Sequence, residues 1–220
     1  MKQRDKPAAR PRRRKAARPA ELTAAALGLF VEKGYAATRL DEVAARAGVS
    51  KGTLYLYFES KEALFKAVIA MGIDPVMARG EALFEELRHD PVALLGALLG
   101  GWWEQIGATE LAGIPKLMIA EAHNFPDVAR FYHEEVISRG RELVAGALEL
   151  GIERGQIRPV DVASTVQVLM APLLMLSVWR TSFAVCDVDA CRPEKYLPTY
   201  FDLFLKGLLV RPGGEMRDEA

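Results

Sequence analysis

The stretch from Thr38 to Phe65, TRLDEVAARAGVSKGTLYLYFESKEALF, determines the fold that we expect for the N-terminal part of the chain. Thr38 and Asp41 are spaced as a capping box, which predicts a helix beginning near Leu40. Gly48 follows where the chain must turn sharply, and glycine tolerates the positive φ that such a turn favours. The stretch therefore predicts a short helix that ends in a tight turn.

A second short helix is expected directly after this turn. Ser50 is suited to be its N-cap, and the helix is predicted to run from Lys51 to about Tyr57. Two short helices that cross steeply need small or apolar side chains where they meet and a glycine in the turn. The residues with these properties are Val43, Ala44, Gly48, Leu54 and Phe58. The spacing is typical of a helix-turn-helix, whose second helix is held outward and can enter the major groove of DNA.

The polar residues of this stretch are of the kinds that a DNA-binding helix uses. Lys51 and Thr53 offer donors to base edges, and Gly52 lets the backbone approach closely. The tyrosines of the second helix present hydroxyls and ring faces to phosphate, sugar or a thymine methyl group. Phosphates also suit Lys61 and the N-terminal amides of the first helix of the motif. The predicted DNA-binding residues are Thr38, Arg39, Ser50, Lys51, Gly52, Thr53, Tyr55, Tyr57 and Lys61.

From about Pro19 to Ala67 the chain resembles the N-terminal DNA-binding domain of the tetracycline-repressor (TetR) family. The shared pattern begins at Thr38 and reads T-x-x-x-x-V-A-x-x-A-G-V-S-K-G-T-L-Y-x-Y-F-x-S-K-E-x-L-F. The resemblance implies an all-α protein with a three-helix DNA-binding domain and a larger helical domain for ligand binding and dimerisation. It also implies a homodimer sealed by the last two helices and a small effector that releases the operator. The segment from Leu117 to Arg130 resembles one C-terminal subgroup that is often seen near efflux or stress genes.

Length and charge distribution fit this organisation. The 220 residues, of which 50% are hydrophobic, suffice for one small and one medium helical unit. Residues 1–20 carry nine basic residues and one acidic residue, although the whole chain has a net charge of zero. This tail either keeps the chain soluble or attracts DNA electrostatically. The expected domains are a disordered basic tail at 1–18, the DNA-binding domain at 19–67, the ligand-binding and dimerisation domain at 68–211, and a disordered tail at 212–220.

Apolar periodicity and capping residues predict about nine helices and no strand. The helix that contains Val166 to Trp179 is apolar on all sides, so one face can pack on its own domain and another on a partner subunit. Pro172 is expected to kink this helix. Other predicted helix boundaries are Asp74-Pro75, Asp90-Pro91, Pro126 to Gly155, Asp161 to about Ala184, and Glu194 to Leu209.

Large aromatic side chains and flexible methionines of the second domain are candidates for an effector pocket, with ordinary core packing as the alternative. Glu121 and His123 either select a cationic or hydrogen-bonding ligand or lie on the surface. The candidate ligand-binding residues are Trp102, Trp103, Met118, Glu121, Phe125, Met170, Met175 and Trp179. The effector itself is expected to be small and largely apolar.

Other functional classes have little support in the sequence. It contains no G-x-S-x-G, no glycine-rich phosphate loop and no H-E-x-x-H, so we expect neither catalysis nor a cofactor. His89, His123 and His133 lack metal-ligand spacing. Cys186 and Cys191 are too few for a disulfide framework and are interpreted as reduced thiols or, alternatively, as a redox switch. A cytoplasmic location without a membrane partner is the simplest interpretation.

The function predicted from these observations is sequence-specific, DNA-binding regulation of transcription. The expected form is a repressor that a small-molecule effector releases from its operator. The alternative is an activator, or a ligand-independent regulator, of the same fold.

Overall fold

The computed structural model describes residues 10–183, 186 and 192–210. Within these residues the chain is helical, without strands, and has one isolated antiparallel bridge between Ile157 and Leu209. The expected all-α fold class is thus confirmed. The chain divides into two compact units between Met71 and Gly72, a few residues after the boundary expected at position 67. The predicted tails at 1–9 and 212–220, and Cys191, lie outside the described residues.

The first unit is built from three helices and the start of a fourth, with an aromatic cluster in its core. The helices are α1 (Arg10–Lys33), α2 (Leu40–Arg46), α3 (Lys51–Tyr55) and α4 (Lys61–Leu87). Phe30 of α1 and Phe65 of α4 meet edge to face with ring centroids 5.1 Å apart. Tyr35 stacks on Phe30 at 5.5 Å, so this cluster joins α1, the loop after it and α4.

Helix α1 begins earlier than expected. It covers Arg10–Lys33 and so includes residues 10–18 of the tail that was expected at 1–18. The prediction relied on the absence of an apolar face, but alanine, arginine and lysine are strong helix formers whatever they bury. Pro11 lies in the first turn, where its missing N–H leaves no intrahelical bond unmade.

The second unit comprises the rest of α4 and six further helices. They are α5 (Pro91–Trp102), α6 (Gly113–Glu121), α7 (Pro126–Tyr132), α8 (Arg139–Glu153), α9 (Val162–Ser182) and α10 (Pro193–Leu208). Two stretches are wound as π-helix, Trp103–Gly107 directly after α5 and His133–Ser138 between α7 and α8. Because the second π stretch joins α7 to α8 without a break, the described part of the chain holds nine continuous helices, as predicted.

Most predicted helix boundaries are confirmed by their capping contacts. Asp90 accepts a hydrogen bond from the Ala93 amide at 3.0 Å, and Asp161 accepts one from the Ser164 amide at 2.8 Å. Gly155 ends α8 with a φ of 68°, the left-handed conformation that glycine adopts without strain.

The boundary predicted at Asp74-Pro75 is wrong. Helix α4 continues through Pro75 to Leu87, and the Asp74 carboxylate lies 3.6 Å from the Arg139 guanidinium instead of capping a helix. Proline removes one backbone hydrogen bond from a helix interior. Burial of Ile73 and Met77 on either side holds the helix together across that gap.

The core of the second unit lies among α5, α8, α9 and α10. Its buried residues include Leu94, Leu148, Leu169 and Leu173, and the Tyr200 hydroxyl of α10 donates to the Leu169 carbonyl of α9 at 2.8 Å. Among the described helices only α9 is long and apolar enough to cross a membrane, by length and composition. In this structure α9 packs against α6, α8 and α10, but only 28% of its most apolar stretch is buried, so this packing accounts for part of its composition.

Two glycines of the second unit differ in backbone conformation, although both have room for a side chain. At both Gly155 and Gly96 an added Cβ would meet open space, but only Gly155 has a positive φ. Gly155→Ala is therefore expected to lower the free energy of unfolding by about 1 kcal/mol. Gly96→Ala, inside α5, should raise it by about 0.5 kcal/mol. Urea denaturation measures both, and equal effects of the two changes would contradict the left-handed cap.

Candidate nucleic-acid interface and effector cavity

The turn between α2 and α3 positions the second helix of the motif. Gly48 has a φ of 66°, and the next amide, that of Val49, donates back to the Ala44 carbonyl at 2.9 Å. Ser50 caps α3 by accepting a hydrogen bond from the Thr53 amide at 3.1 Å. The residues predicted to form the inner side of the motif, Val43, Ala44, Leu54 and Phe58, are all buried. Helix α3 ends at Tyr55, two residues before the predicted end at Tyr57.

The polar side of α3 faces away from the core of the first unit. Lys51, Gly52 and Tyr55 are exposed, and the Lys51 ammonium lies 6.0 Å from the centroid of the Tyr55 ring. Thr53 is half-buried, and its hydroxyl is 2.9 Å from that of Ser50, with either able to donate. Tyr57 is also half-buried. Most of the side chains predicted to meet DNA thus form one accessible surface around α3.

Sequence reasoning missed Leu56 at the end of this surface. Its side chain is 82% exposed, the largest exposure among the large hydrophobic residues described. Residues two apart in a helix do not share a face, so Leu54 and Leu56 cannot both point into the core. That spacing could have identified Leu56 as an outward apolar residue, suited to contact with a thymine methyl group.

The side chain of Thr38 is engaged inside the protein and does not cap α2. Its side chain is only 2% exposed, and its hydroxyl lies 2.7 Å from the Gly34 carbonyl and 3.2 Å from the Leu29 carbonyl. The N-cap of α2 is Arg39, without a side-chain capping bond, so the predicted capping box is wrong. The end of α1 leaves carbonyls without helical partners, and the buried hydroxyl of Thr38 supplies a donor there. This side chain is not available to a phosphate.

Lys61 is likewise engaged within the protein. Its ammonium donates to the carbonyls of Tyr35 at 2.8 Å, Ala36 at 3.0 Å and Thr38 at 3.2 Å, and lies 4.7 Å from the centroid of the Tyr35 ring. An ammonium has three donors, and these three carbonyls use them all. In this structure the Lys61 ammonium is therefore engaged within the protein, and its phosphate contact stays a prediction. Lys61 ties the loop between α1 and α2 to the start of α4.

Ion pairs also engage other basic residues of the first unit. Arg39 pairs with Asp41 at 2.9 Å, and Arg46 pairs with Glu32 at 2.6 Å. Hydrogen bonds from these guanidinium groups lower the pKa of Asp41 and of Glu32. Such exposed pairs add little stability, but an approaching phosphate must compete with the carboxylates for the two arginines. In the described part of α3, Lys51 is the one cation, and no carboxylate pairs with it.

The second unit contains a cavity of about 380 Å³ between α4, α5, α8 and α9. This volume is within the range of about 300–1,000 Å³ typical of small-molecule sites. Trp102 and Met170, both predicted as ligand-binding residues, line it. The other lining residues are Val76, Met77, Gly80, Leu83, Leu98, Gly101, Gln105, Tyr132, Val136, Ile137, Gly140, Arg141, Leu143, Val144, Val166, Gln167, Ala171 and Leu174.

Six predicted ligand-binding residues lie elsewhere: Trp103, Met118, Glu121, Phe125, Met175 and Trp179. Trp103 is buried under Arg180, whose guanidinium carbon is 5.3 Å from the ring centroid, and Trp179 packs against Phe183 at 5.0 Å. Glu121 accepts a hydrogen bond from the Asn124 amide at 3.3 Å. Trp103 and Met118 are buried, as the alternative of ordinary packing expects, whereas Met175 is exposed. The walls of the cavity are largely aliphatic, and amino-acid composition alone does not distinguish such residues from those of the core.

Both π-helical stretches border this cavity. Gln105 comes from Trp103–Gly107, and Val136 and Ile137 come from His133–Ser138. The π-helix is less favourable than the α-helix and occurs preferentially at functional sites. Two such stretches from different parts of the chain therefore support a binding role for the cavity.

The described residues contain neither a metal-binding cluster nor a disulfide. No group of three or more His, Cys, Asp or Glu side chains is close enough together to hold a metal ion in that part of the chain. Cys186 is free and exposed.

The fold and these two sites define a class, a helical DNA-binding protein whose second unit encloses a ligand-sized cavity. The chain matches the family described as "Bacterial regulatory proteins, tetR family" over residues 22–68, and "Tetracyclin repressor-like, C-terminal domain" over residues 85–184. The chain belongs to the TetR family and is a DNA-binding transcriptional regulator.

Individual relatives agree with this assignment. The transcriptional repressor KstR2 of Rhodococcus jostii is 28% identical over 196 residues, which cover 88% of this chain and 92% of that protein. The structure of PfmR, a TetR family regulator from Thermus thermophilus, is 26% identical with a TM-score of 0.67 and covers 84% of this chain and 97% of its own. The structure of KstR2 from Mycobacterium tuberculosis, 24% identical, shares the fold with a TM-score of 0.71 over 88% of this chain and 96% of its own.

The role found for Lys61 predicts an effect on stability without DNA. Lys61→Met removes three charge-assisted hydrogen bonds and should lower the free energy of unfolding by about 1–2 kcal/mol. The control is Lys66→Met, which removes one exposed ion pair with Glu62 and should change it by less than about 0.5 kcal/mol. Denaturant unfolding of the DNA-free protein measures both. Weaker DNA binding by Lys61→Met at unchanged stability would instead support the phosphate role.

Proposed function

We propose that this chain is a repressor that binds its operator as a homodimer and leaves it when a small molecule occupies the cavity. The observation that carries the proposal is the orientation of α3, which buries Leu54 and exposes Lys51 and Tyr55. A helix held in this way fits the major groove. The name of the Rhodococcus jostii relative, a transcriptional repressor, supports repression over activation.

In this proposal the residues around α3 make different kinds of contact with the DNA. Lys51 and Thr53 read base edges, and Gly52 allows close approach. Tyr55 donates its hydroxyl to the phosphate backbone, and Leu56 contacts a thymine methyl group. Ser50, Tyr57 and Arg39 are at the margins of this surface, where phosphate contacts are expected.

The second copy is proposed to pack on exposed apolar residues of α9 and α10. Val168 and Met175 of α9 are exposed, and Leu203 of α10 is 66% exposed. Apolar residues at such positions favour a self-complementary interface, and their opposite helix faces already pack in the core of the unit. Leu208, by contrast, is 5% exposed and belongs to that core.

The effector step is proposed to act through α4. This helix begins in the first unit, and its later residues Val76, Met77, Gly80 and Leu83 line the cavity. A ligand that binds better to one position of α4 than to another shifts the protein toward that position. A rise in melting temperature in the presence of a compound, followed by loss of the DNA complex, is the sign of such a ligand.

The DNA-binding role of α3 is tested by footprinting on intergenic DNA beside the gene, with variants compared on operator and random duplexes. Lys51→Ala and Thr53→Ala are expected to weaken operator binding about tenfold and to change the preferred sequence. Tyr55→Phe should weaken binding to all duplexes alike. Lys66→Ala, which removes a charge from α4, is the matched control. Equal losses on operator and random DNA for Lys51→Ala and Thr53→Ala would contradict base reading by these two residues.

The interface between copies is tested by sedimentation. Leu203→Glu is expected to convert the dimer to a monomer, since it places a charge in the proposed apolar contact. Ile119→Glu, at a residue of α6 that is 71% exposed, is the matched control and should stay dimeric. A dimeric Leu203→Glu variant would show that another surface joins the subunits. Leu208 is unsuited to this test, because a charge at a buried site unfolds the unit.

A further inference from the structure

The lining of the cavity carries a single charge. Of its twenty residues, Arg141 is the only one with an ionised side chain, and no acidic residue is among them. The other polar groups of the lining are the amides of Gln105 and Gln167, the Tyr132 hydroxyl and the Trp102 indole. The site is thus apolar over most of its wall and positive at one place.

Arg141 lies where the cavity reaches the surface. Arg141, Gln167 and Ala171 are exposed, whereas most other lining residues are buried or half-buried. A guanidinium at the mouth of an apolar cavity can receive the polar end of a ligand whose remainder is inserted.

The positive charge of Arg141 is not neutralised by a neighbour. Among the described residues no carboxylate pairs with it. Arg139, on another face of the same helix, pairs with Asp74 at 3.6 Å and with Glu81 at 3.2 Å. Asp74 and Glu81 are thus engaged with Arg139, and Arg141 is left for an anion from outside.

Tyr132 adds a neutral polar group to the lining. It precedes Arg141 by nine residues of one continuous helix. Tyr132 is buried, and burial raises the pKa of its hydroxyl, which therefore stays protonated. The lining accordingly combines a neutral buried hydroxyl and an exposed cation with largely apolar walls.

We infer that the effector is a largely apolar molecule with a single anionic group, such as a carboxylate, bound by Arg141. A guanidinium forms paired hydrogen bonds to a carboxylate or phosphate, which a neutral ligand cannot use. A cationic ligand would meet Arg141 without any acidic residue of the lining to hold it. This inference rests on the proposed function, since it assigns a ligand class to the same cavity.

Calorimetric titration of the purified full chain with laurate, dodecanol and dodecylamine tests the inference, because these probes share a chain and differ in charge. Laurate is expected to bind about tenfold tighter than dodecanol, and dodecylamine weakest. Lauroyl-coenzyme A distinguishes a free carboxylate from the phosphates of a thioester carrier as the source of the anion. Tighter binding of either anion than of dodecanol supports the inference.

Variants assign the effect to the guanidinium. Arg141→Gln should lower laurate affinity to that of dodecanol, whereas Arg141→Lys should keep part of the preference. Arg88→Gln is the matched control, since it removes the same charge from an exposed residue outside the lining and should change nothing. The inference would be overturned if neither anion bound tighter than dodecanol, or if a folded Arg141→Gln variant kept the wild-type affinity for the anion that binds.

DNA release is measured in parallel to separate this inference from the proposed function. If laurate binds through Arg141 but leaves the operator complex intact, the anionic ligand class is supported and the proposed release of DNA by the ligand is contradicted. If dodecanol releases the DNA from both the wild-type protein and Arg141→Gln, the effector role stands and the anionic class fails.

Discussion

The burial of Leu54 is the constraint on which the DNA-binding surface depends. Helix α3 has only five residues, too few to be stable alone in water. It exists because Leu54 is fully buried in the first unit, because Ser50 caps it, and because Gly48 lets the chain turn back sharply. The same burial forces the opposite side of the helix, with Lys51, into solvent. Packing energy on one side therefore creates the recognition surface on the other.

The loop before this motif shows that residue type alone does not determine which acceptor a side chain such as Lys61 contacts. Thr38 and Lys61 are common phosphate ligands by type, yet here both satisfy carbonyls at the end of α1 and in the loop after it. Both roles exploit the same chemistry, since a carbonyl oxygen and a phosphate oxygen accept the same donors. The choice between them depends on burial and on long-range neighbours, which a linear pattern does not contain.

This difference explains how much could be predicted. The motif, the caps at Asp90 and Asp161 and the turn glycines follow from short-range rules, so the fold class and most helix boundaries were predictable. The cavity depends on gaps between four helices and on two π-helical stretches, neither of which has a local pattern. The prediction from aromatic residues and methionines therefore included Trp102 and Met170, which line the cavity, but also residues that fill the core. The exposure of Leu56 could have been predicted from the sequence, because this residue is two positions after Leu54.

Arg139 and Arg141 show how occupancy of the cavity can act on α4. They lie two residues apart on α8, and Arg139 connects this helix to α4 through Asp74 and Glu81. These pairs are partly exposed, so each holds α4 only weakly and can rearrange at small cost. A ligand held by Arg141 and by the walls that α4 and α8 share would act on both helices at once. In the proposed effector step, the effect on DNA would depend on how differently the ligand binds two positions of α4, and not on its total affinity.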